Sequence, residues 1–187
     1  MSVSEKLKIV GIAGSLREGS YNRALLRAAR ELAPEAVEIE IAEIGDFPLY
    51  NADVQAEGFP QPVQRVAAQL ARADAVLLVT PEYNYSVSGV LKNAIDWISR
   101  VPEAPMKEKP VSIMGASTGM LGTARAQYHL RQTLLFLQSH VLIGPEVFVA
   151  RAQEKFDESG RLVDEPTRAH VGKHVAALAA WARRLRP

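Results

Sequence analysis

Apolar positions along the chain fall into two kinds of run: short blocks rich in β-branched residues, and longer stretches in which apolar side chains recur every three or four positions. The first kind predicts strands and the second helices, because side chains alternate across a strand but return to one helix face after about 3.6 residues. On this pattern Lys8 to Ala13 is a strand, Asn22 to Leu32 a helix, Val37 to Ile41 a strand, and Pro62 to Arg72 a helix after a Pro-containing loop. Ala75 to Thr80 is almost entirely apolar, as expected of a strand covered on both faces. Val90 to Arg100 follows as a helix, Val111 to Ala116 as a strand and Gly122 to Gln138 as a long helix. Val141 to Val149 is a last strand interrupted at Gly144-Pro145, Glu154 to Glu165 a polar surface loop or small hairpin, and Pro166 to Leu185 a closing helix. Five strands alternating with five helices imply an α/β fold built on a doubly wound parallel sheet, with right-handed crossovers and helices on both faces. No internal repeat or linker divides residues 1–187, so one domain is expected.

Composition narrows the possibilities. A chain of 187 residues with 48% hydrophobic content has enough material for a sizeable core. The absence of cysteine excludes disulfides and thiolate metal sites, and neither a basic-then-apolar leader nor a long apolar span is seen, so a cytoplasmic enzyme is expected. Lys and Arg total 22 against 21 for Asp and Glu, and this near-balance supplies no chain-wide reason to expect nucleic acid or an anionic membrane as partner.

In a doubly wound sheet, ligands sit outside the carboxyl ends of the strands. The stretch "GIAGSLREGSYN", residues 11–22, leaves the first strand at that edge. Consecutive amides in a Gly-rich turn, together with a helix N-terminus, make an anion site, and Ser15, Arg17, Ser20 and Asn22 add side-chain donors. Gly14 and Gly19 have the spacing of a nucleoside-triphosphate loop, but Ser20-Tyr21 stand where a Lys and a Ser or Thr would grip phosphates and metal. Gly11, Gly14 and Gly19 do not match the dinucleotide fingerprint, and no acidic residue stands alone at the end of the second strand to bind a ribose. A hydroxyl-rich loop with one arginine suits a terminal monophosphate ester such as that of FMN. A Gly/Ser turn with nothing bound is the plainer alternative.

The stretch "TPEYNYSVSGVLKNAIDW", residues 80–97, falls at the same edge. Pro81 and Asn84 mark a turn, Ser88 is a candidate N-cap, and Val90, Leu91, Ala94, Ile95 and Ile98 form an apolar helix face. Together, "GSLREGSYN" and "PEYNYSVSGVLKNAIDW" resemble the NAD(P)H-dependent FMN reductase family, in the branch that includes soluble quinone and chromate reductases and some azoreductases. The likeness extends over nearly the whole chain. One departure is Ser88, where that family often has proline; a serine caps the helix that a proline would start.

The resemblance implies a flavodoxin-like sheet of five parallel strands in the order 2-1-3-4-5, bound FMN, and NAD(P)H as cosubstrate. It implies that Ser15, Arg17, Ser20 and Asn22 hold the flavin phosphate, and that Pro81, Glu82, Tyr83 and Asn84 lie along the isoalloxazine with backbone amides near its pyrimidine edge and N5. A third loop, "ASTGMLG" at residues 116–122, would bring backbone donors from Ser117, Thr118 and Gly119 to the other side of the ring. The cofactor then carries the redox chemistry, so no catalytic side chain is expected. Donor and acceptor sharing one flavin face implies alternating binding. Quinones, azo compounds, oxyanions such as chromate and free flavin are the candidate acceptors. A homodimer or homotetramer is expected as well, with Tyr85, Val87, Val90 and Trp97 as candidate contact surface; the alternative is that Val90 and Trp97 pack inward.

Other residues invite weaker readings. His170 and His174 are four apart on a helix, but no third metal ligand stands near them. His129 and His140 are isolated, Arg183, Arg184 and Arg186 make a basic end to the last helix, and Lys92 and Asp96 have the spacing of a helix surface pair. The rival function is a flavodoxin-like electron carrier that does not oxidise NAD(P)H; such carriers are usually markedly acidic, whereas the net charge here is +1.

Overall fold

The computed structural model describes residues 6–186. In chain order its elements are β1 (Leu7–Ala13), α1 (Tyr21–Glu31), β2 (Val37–Ala42), α2 (Ala52–Glu57), α3 (Gln61–Arg72), β3 (Ala75–Val79), β4 (Glu82–Tyr83) and β5 (Ser86–Val87). After these come α4 (Gly89–Ile98), β6 (Pro110–Ala116), α5 (Ala124–Phe136), β7 (His140–Val141), β8 (Val147–Val149) and α6 (Glu165–Leu185). The parallel sheet runs β2-β1-β3-β6, and β7 and β8 share the far side of β6. Counting β7 and β8 as one position, this is the flavodoxin-like order.

The interrupted last strand is thus two strands. β7 pairs with Pro110 and Val111 at the start of β6, and β8 with Met114 to Ala116 at its end. The break falls at Gly144-Pro145, whose peptide bond is cis and where the proline has no N–H to give a ladder.

Alternation along the central strands sorts their side chains onto two cores. Ile9, Leu77 and Met114 pack with Leu25 of α1 and Val171 and Leu178 of α6. Val10, Ile12, Leu78 and Ile113 pack with Leu70 of α3, Leu91 of α4 and Leu130 of α5 on the opposite face. Every residue of β3 is buried, as its unbroken apolar run requires. A satellite core forms around Trp97 with Val63, Ala67 and Val101, against which Phe47, Tyr50 and Phe59 lean. Trp97 is fully buried, and its indole N–H donates to the Pro48 carbonyl at 2.9 Å. That corrects its place on the expected contact surface. Val87 and Val90 are half-buried against the α3–α5 core, leaving Tyr85 as the exposed member of that set.

Local chemistry accounts for several element boundaries. Ser20 caps α1, accepting the N–H groups of Asn22 at 3.2 Å and Arg23 at 3.4 Å. Ser88 caps α4 by accepting Leu91 N–H at 3.3 Å. α5 begins at Ala124 rather than Gly122 because Gly122 and Thr123 are both left-handed, with φ of 53° and 75°. Three elements lie where only loop was expected. α2 buries none of its residues, so no apolar period announces it, and β4 and β5 are too short to show alternation. The Glu154 to Glu165 segment closes on a single antiparallel bridge, Phe156 with Leu162.

Candidate functional site

The loops that follow β1, β3 and β6 emerge side by side because those strands are neighbours in the sheet. In the first loop Gly14 N–H donates to Val79 O at 2.8 Å and Ser20 N–H to Arg17 O at 3.1 Å. Between them, the amides of Ser15 to Gly19 have no acceptor among the described residues. Ser15 is buried, and its hydroxyl makes no hydrogen bond there. Arg17 is exposed, makes no ion pair with the described residues, and lies over Gly19, where a Cβ would stand 3.7 Å from its Nη1. A turn of unpaired amides, one hydroxyl and one guanidinium at a helix N-terminus is a fit for a phosphate monoester.

Two residues of this loop have structural duties. Ser20 uses its oxygen as acceptor for the α1 cap, which leaves only its hydroxyl hydrogen to donate. Asn22 is committed to Ala116: its amide nitrogen donates to Ala116 O at 2.9 Å, leaving one N–H, and its Oδ1 accepts Ala116 N–H at 2.8 Å. These two bonds fasten α1 to the end of β6.

In the second loop Tyr83 pairs with Ser86, so Asn84 and Tyr85 alone make the turn, both left-handed with φ of 49° and 67°. This is a type I′ geometry, the one whose twist suits a two-residue hairpin. The amides of Asn84 and Tyr85 donate to nothing among the described residues. The Glu82 carboxylate turns toward α5, accepting Arg125 Nε–H at 2.7 Å and Ala126 N–H at 3.2 Å. Burial opposes the charge on Arg125, but its hydrogen bonds and attraction to Glu82 and Tyr85 outweigh that and raise its pKa. Ser86 Oγ lies 3.0 Å from His129 Nδ1, so the histidine that looked isolated ties the hairpin to α5.

The third loop is more committed than expected. Ser117 N–H donates to Val149 O at 2.9 Å and Gly119 N–H to Ser117 Oγ at 3.1 Å, which leaves the amide of Thr118 as the unpaired one of the three.

Each loop is braced by another. Ser88 Oγ donates to Gly14 O at 2.6 Å, joining the first loop to the start of α4. Gly14 has to be glycine, since a Cβ there would stand 2.9 Å from Leu91 Cβ. Asn22 joins the first loop to the third strand of the group, and Glu82 joins the hairpin to α5. At Gly115 a Cβ would lie 2.4 Å from Thr80 O, so the second and third loops leave the sheet in backbone contact. Leu16, Tyr83, Met120 and Leu121 are exposed on the three loops, an apolar rim suited to a planar ring.

The remaining candidates have plain structural partners. One ring nitrogen of His170 meets Glu146 O at 2.7 Å, and His174 Nδ1 meets Pro145 O at 2.7 Å. Lys92 and Asp96 pair at 2.7 Å, Arg186 pairs with Asp74 at 2.7 Å, and the Arg184 guanidinium carbon lies 5.9 Å from the centre of the Trp181 ring. The Arg125–Glu82 pair escaped sequence reasoning, because the partners are 43 positions apart and no local period links them.

Comparison with known proteins gives this edge its context. Residues 7–154 match the family described as NADPH-dependent FMN reductase. An NAD(P)H-dependent FMN reductase of Pseudomonas aeruginosa is 55% identical over 98% of this chain and all of its own length. A quinone reductase of Escherichia coli is 46% identical, again over 98% of this chain and the whole of the relative. Among solved structures, FerB, a flavoenzyme NAD(P)H:(acceptor) oxidoreductase from Paracoccus denitrificans, superposes with a TM-score of 0.87 at 35% identity, covering 95% of this chain and 98% of its own. The match spans all three loops and the strands that carry them, and the chain belongs to the NADPH-dependent FMN reductase family of flavin-using enzymes.

Proposed function

We infer that this chain is a cytoplasmic oxidoreductase with one FMN-binding domain, which takes hydride from NAD(P)H and reduces small acceptors, quinones foremost, by alternating binding at one site. Azo compounds, oxyanions such as chromate and free flavin are further acceptors of the same two-electron class. The observation that carries this reading is the set of unpaired donors on three mutually braced loops: the Ser15 to Gly19 amides with Arg17, the Asn84 and Tyr85 amides, and the Thr118 amide. The names of the quinone reductase and the FMN reductase among its relatives point the same way. Bound FMN would supply the redox step, exchanging two electrons through N5 of its ring.

The chain's own residues bind and orient. Arg17 and the Ser15 to Gly19 amides would hold the phosphate, with Ser15 and the Ser20 hydroxyl hydrogen completing the set. The unpaired amides of Asn84, Tyr85 and Thr118 would favour negative charge gathering on the ring, as backbone donors do in an oxyanion hole. The exposed rim of Leu16, Tyr83, Met120 and Leu121 leaves one side of the site open to incoming molecules. Donor and acceptor would occupy that opening in turn.

Purified protein should be yellow, hold FMN rather than FAD, and show bleaching of the flavin when mixed with NADPH without oxygen. FMN at about a hundredfold over its dissociation constant should add roughly 2.7 kcal/mol of stability. A protein that neither retains nor takes up FMN overturns the proposal. Retained flavin that NADPH and NADH both fail to bleach favours the electron carrier instead.

A further inference from the structure

The hairpin turn of Asn84 and Tyr85 lacks the residue that normally makes such a turn possible. Left-handed backbone at the second central position is usually glycine's, yet Tyr85 occupies it with φ of 67°. What holds the turn lies outside the hairpin. The Arg125 guanidinium carbon is 3.5 Å from the centre of the Tyr85 ring, while Arg125 Nε donates to Glu82 at 2.7 Å. One planar cation therefore grips the hairpin at its first strand residue and at its strained turn. Arg125 is the second residue of α5, the helix that starts just after the 117–123 loop. The Glu82 side chain is 10% exposed and that of Arg125 37%, and the carboxylate keeps the Ala126 N–H at 3.2 Å whatever side chain stands at position 125, so what the arginine alone adds is the bridge to Tyr85.

We propose that Arg125 is a positioning residue for the cofactor: by bridging Glu82 and Tyr85 from α5, it fixes the unpaired amides of the hairpin turn relative to the Thr118 loop. The inference rests on the FMN reading above. It adds a residue on α5, outside the three donor loops, that sets how the ring is held. Lysine would keep the pair with Glu82 but not the delocalised guanidinium over the Tyr85 ring, so the two side chains are not equivalent here.

The test compares FMN dissociation constants by calorimetry, the visible circular dichroism of bound flavin, and the urea midpoint of the apoprotein. In Arg125→Ala the FMN dissociation constant should rise roughly tenfold and the flavin dichroism should change, with the apoprotein midpoint unmoved. Adding Tyr85→Gly should recover about threefold of that loss, because glycine holds the left-handed turn unaided. Wild-type affinity and dichroism in Arg125→Ala would overturn the inference. So would a loss of affinity that parallels loss of apoprotein stability and is not recovered by Tyr85→Gly. Should Arg125→Ala fail to fold, Arg125→Lys is read by the same measures, with a smaller loss recovered by Tyr85→Gly as support and no loss as refutation. A wild-type chain that binds no FMN defeats the proposed function itself, and is seen before any variant is made.

Discussion

Arg17 and Asn22 stand five positions apart in one loop, carry side chains of the type a phosphate attracts, and have different duties. The Arg17 side chain is exposed and has no partner among the described residues, whereas Asn22 is buried with both ends of its amide on Ala116. Arg17→Ala should therefore weaken FMN binding roughly ten- to a hundredfold while leaving the apoprotein's urea midpoint unchanged. Asn22→Ala should do the reverse, costing roughly 2–3 kcal/mol of apoprotein stability because Ala116 N–H and C=O are left buried without partners. Equal effects of the two variants on FMN affinity would show that Asn22 leaves Ala116 to meet the ligand. The residue types of the loop were legible in the sequence because phosphate chemistry needs hydroxyls, amides and a cation. Which of them stay free was not, since Asn22's partner is 94 positions away.

At the scale of elements, the connection between β7 and β8 shows how a sequence signal and its structural use diverge. Two histidines four apart on α6 suggest a metal, but each bonds a carbonyl of the segment around Pro145, so the pair secures that connection to the helix. Burial lowers the pKa of His174, the Pro145 carbonyl opposes this, and the positive charges of His170 and Arg131 add to the lowering. The unfolded chain, with its histidine near the ordinary value of about 6.5, then takes up the proton first as pH falls. The contribution is complete above pH of about 6.5 and is lost as pH drops toward the folded value. Urea midpoints should accordingly decline from pH 7 to 5, and the decline should be shallower in His174→Asn, whose amide can still donate to Pro145; identical profiles would exclude His174 as the source. Elements with strong periodicity, such as α3 and β3, were legible from pattern alone. α2 and the β4–β5 hairpin were not, because exposed or two-residue elements leave no apolar period to read.

For the whole molecule, the open question is what covers its exposed apolar side chains. Tyr85 is 67% exposed, and on α5 Tyr128, Leu135 and Phe136 are 52%, 77% and 80% exposed. Large apolar side chains exposed along α5, from Tyr128 to Phe136 at its far end, suit a self-complementary contact. Light scattering should give two or four times the chain mass of 20.5 kDa, and Leu135→Glu should lower it without destabilising the fold of the single chain. A fully active wild-type monomer at micromolar concentration would refute this. The contact surface expected from sequence had included Trp97, which instead anchors the satellite core, since helical spacing says that a face is apolar but not which neighbour it meets.

By itself the sequence determined the alternation of strands and helices, the parallel sheet, and the identity of the loop chemistry at its carboxyl edge. These follow from period, propensity and residue type, which act over a few positions of chain. Only the tertiary structure decided which donors remain free, that the Glu82 carboxylate pairs with Arg125, and that His129 ties down a hairpin. Those outcomes depend on hydrogen-bond partners 43 positions away, and a polar side chain has no local signal that tells which distant group will claim it.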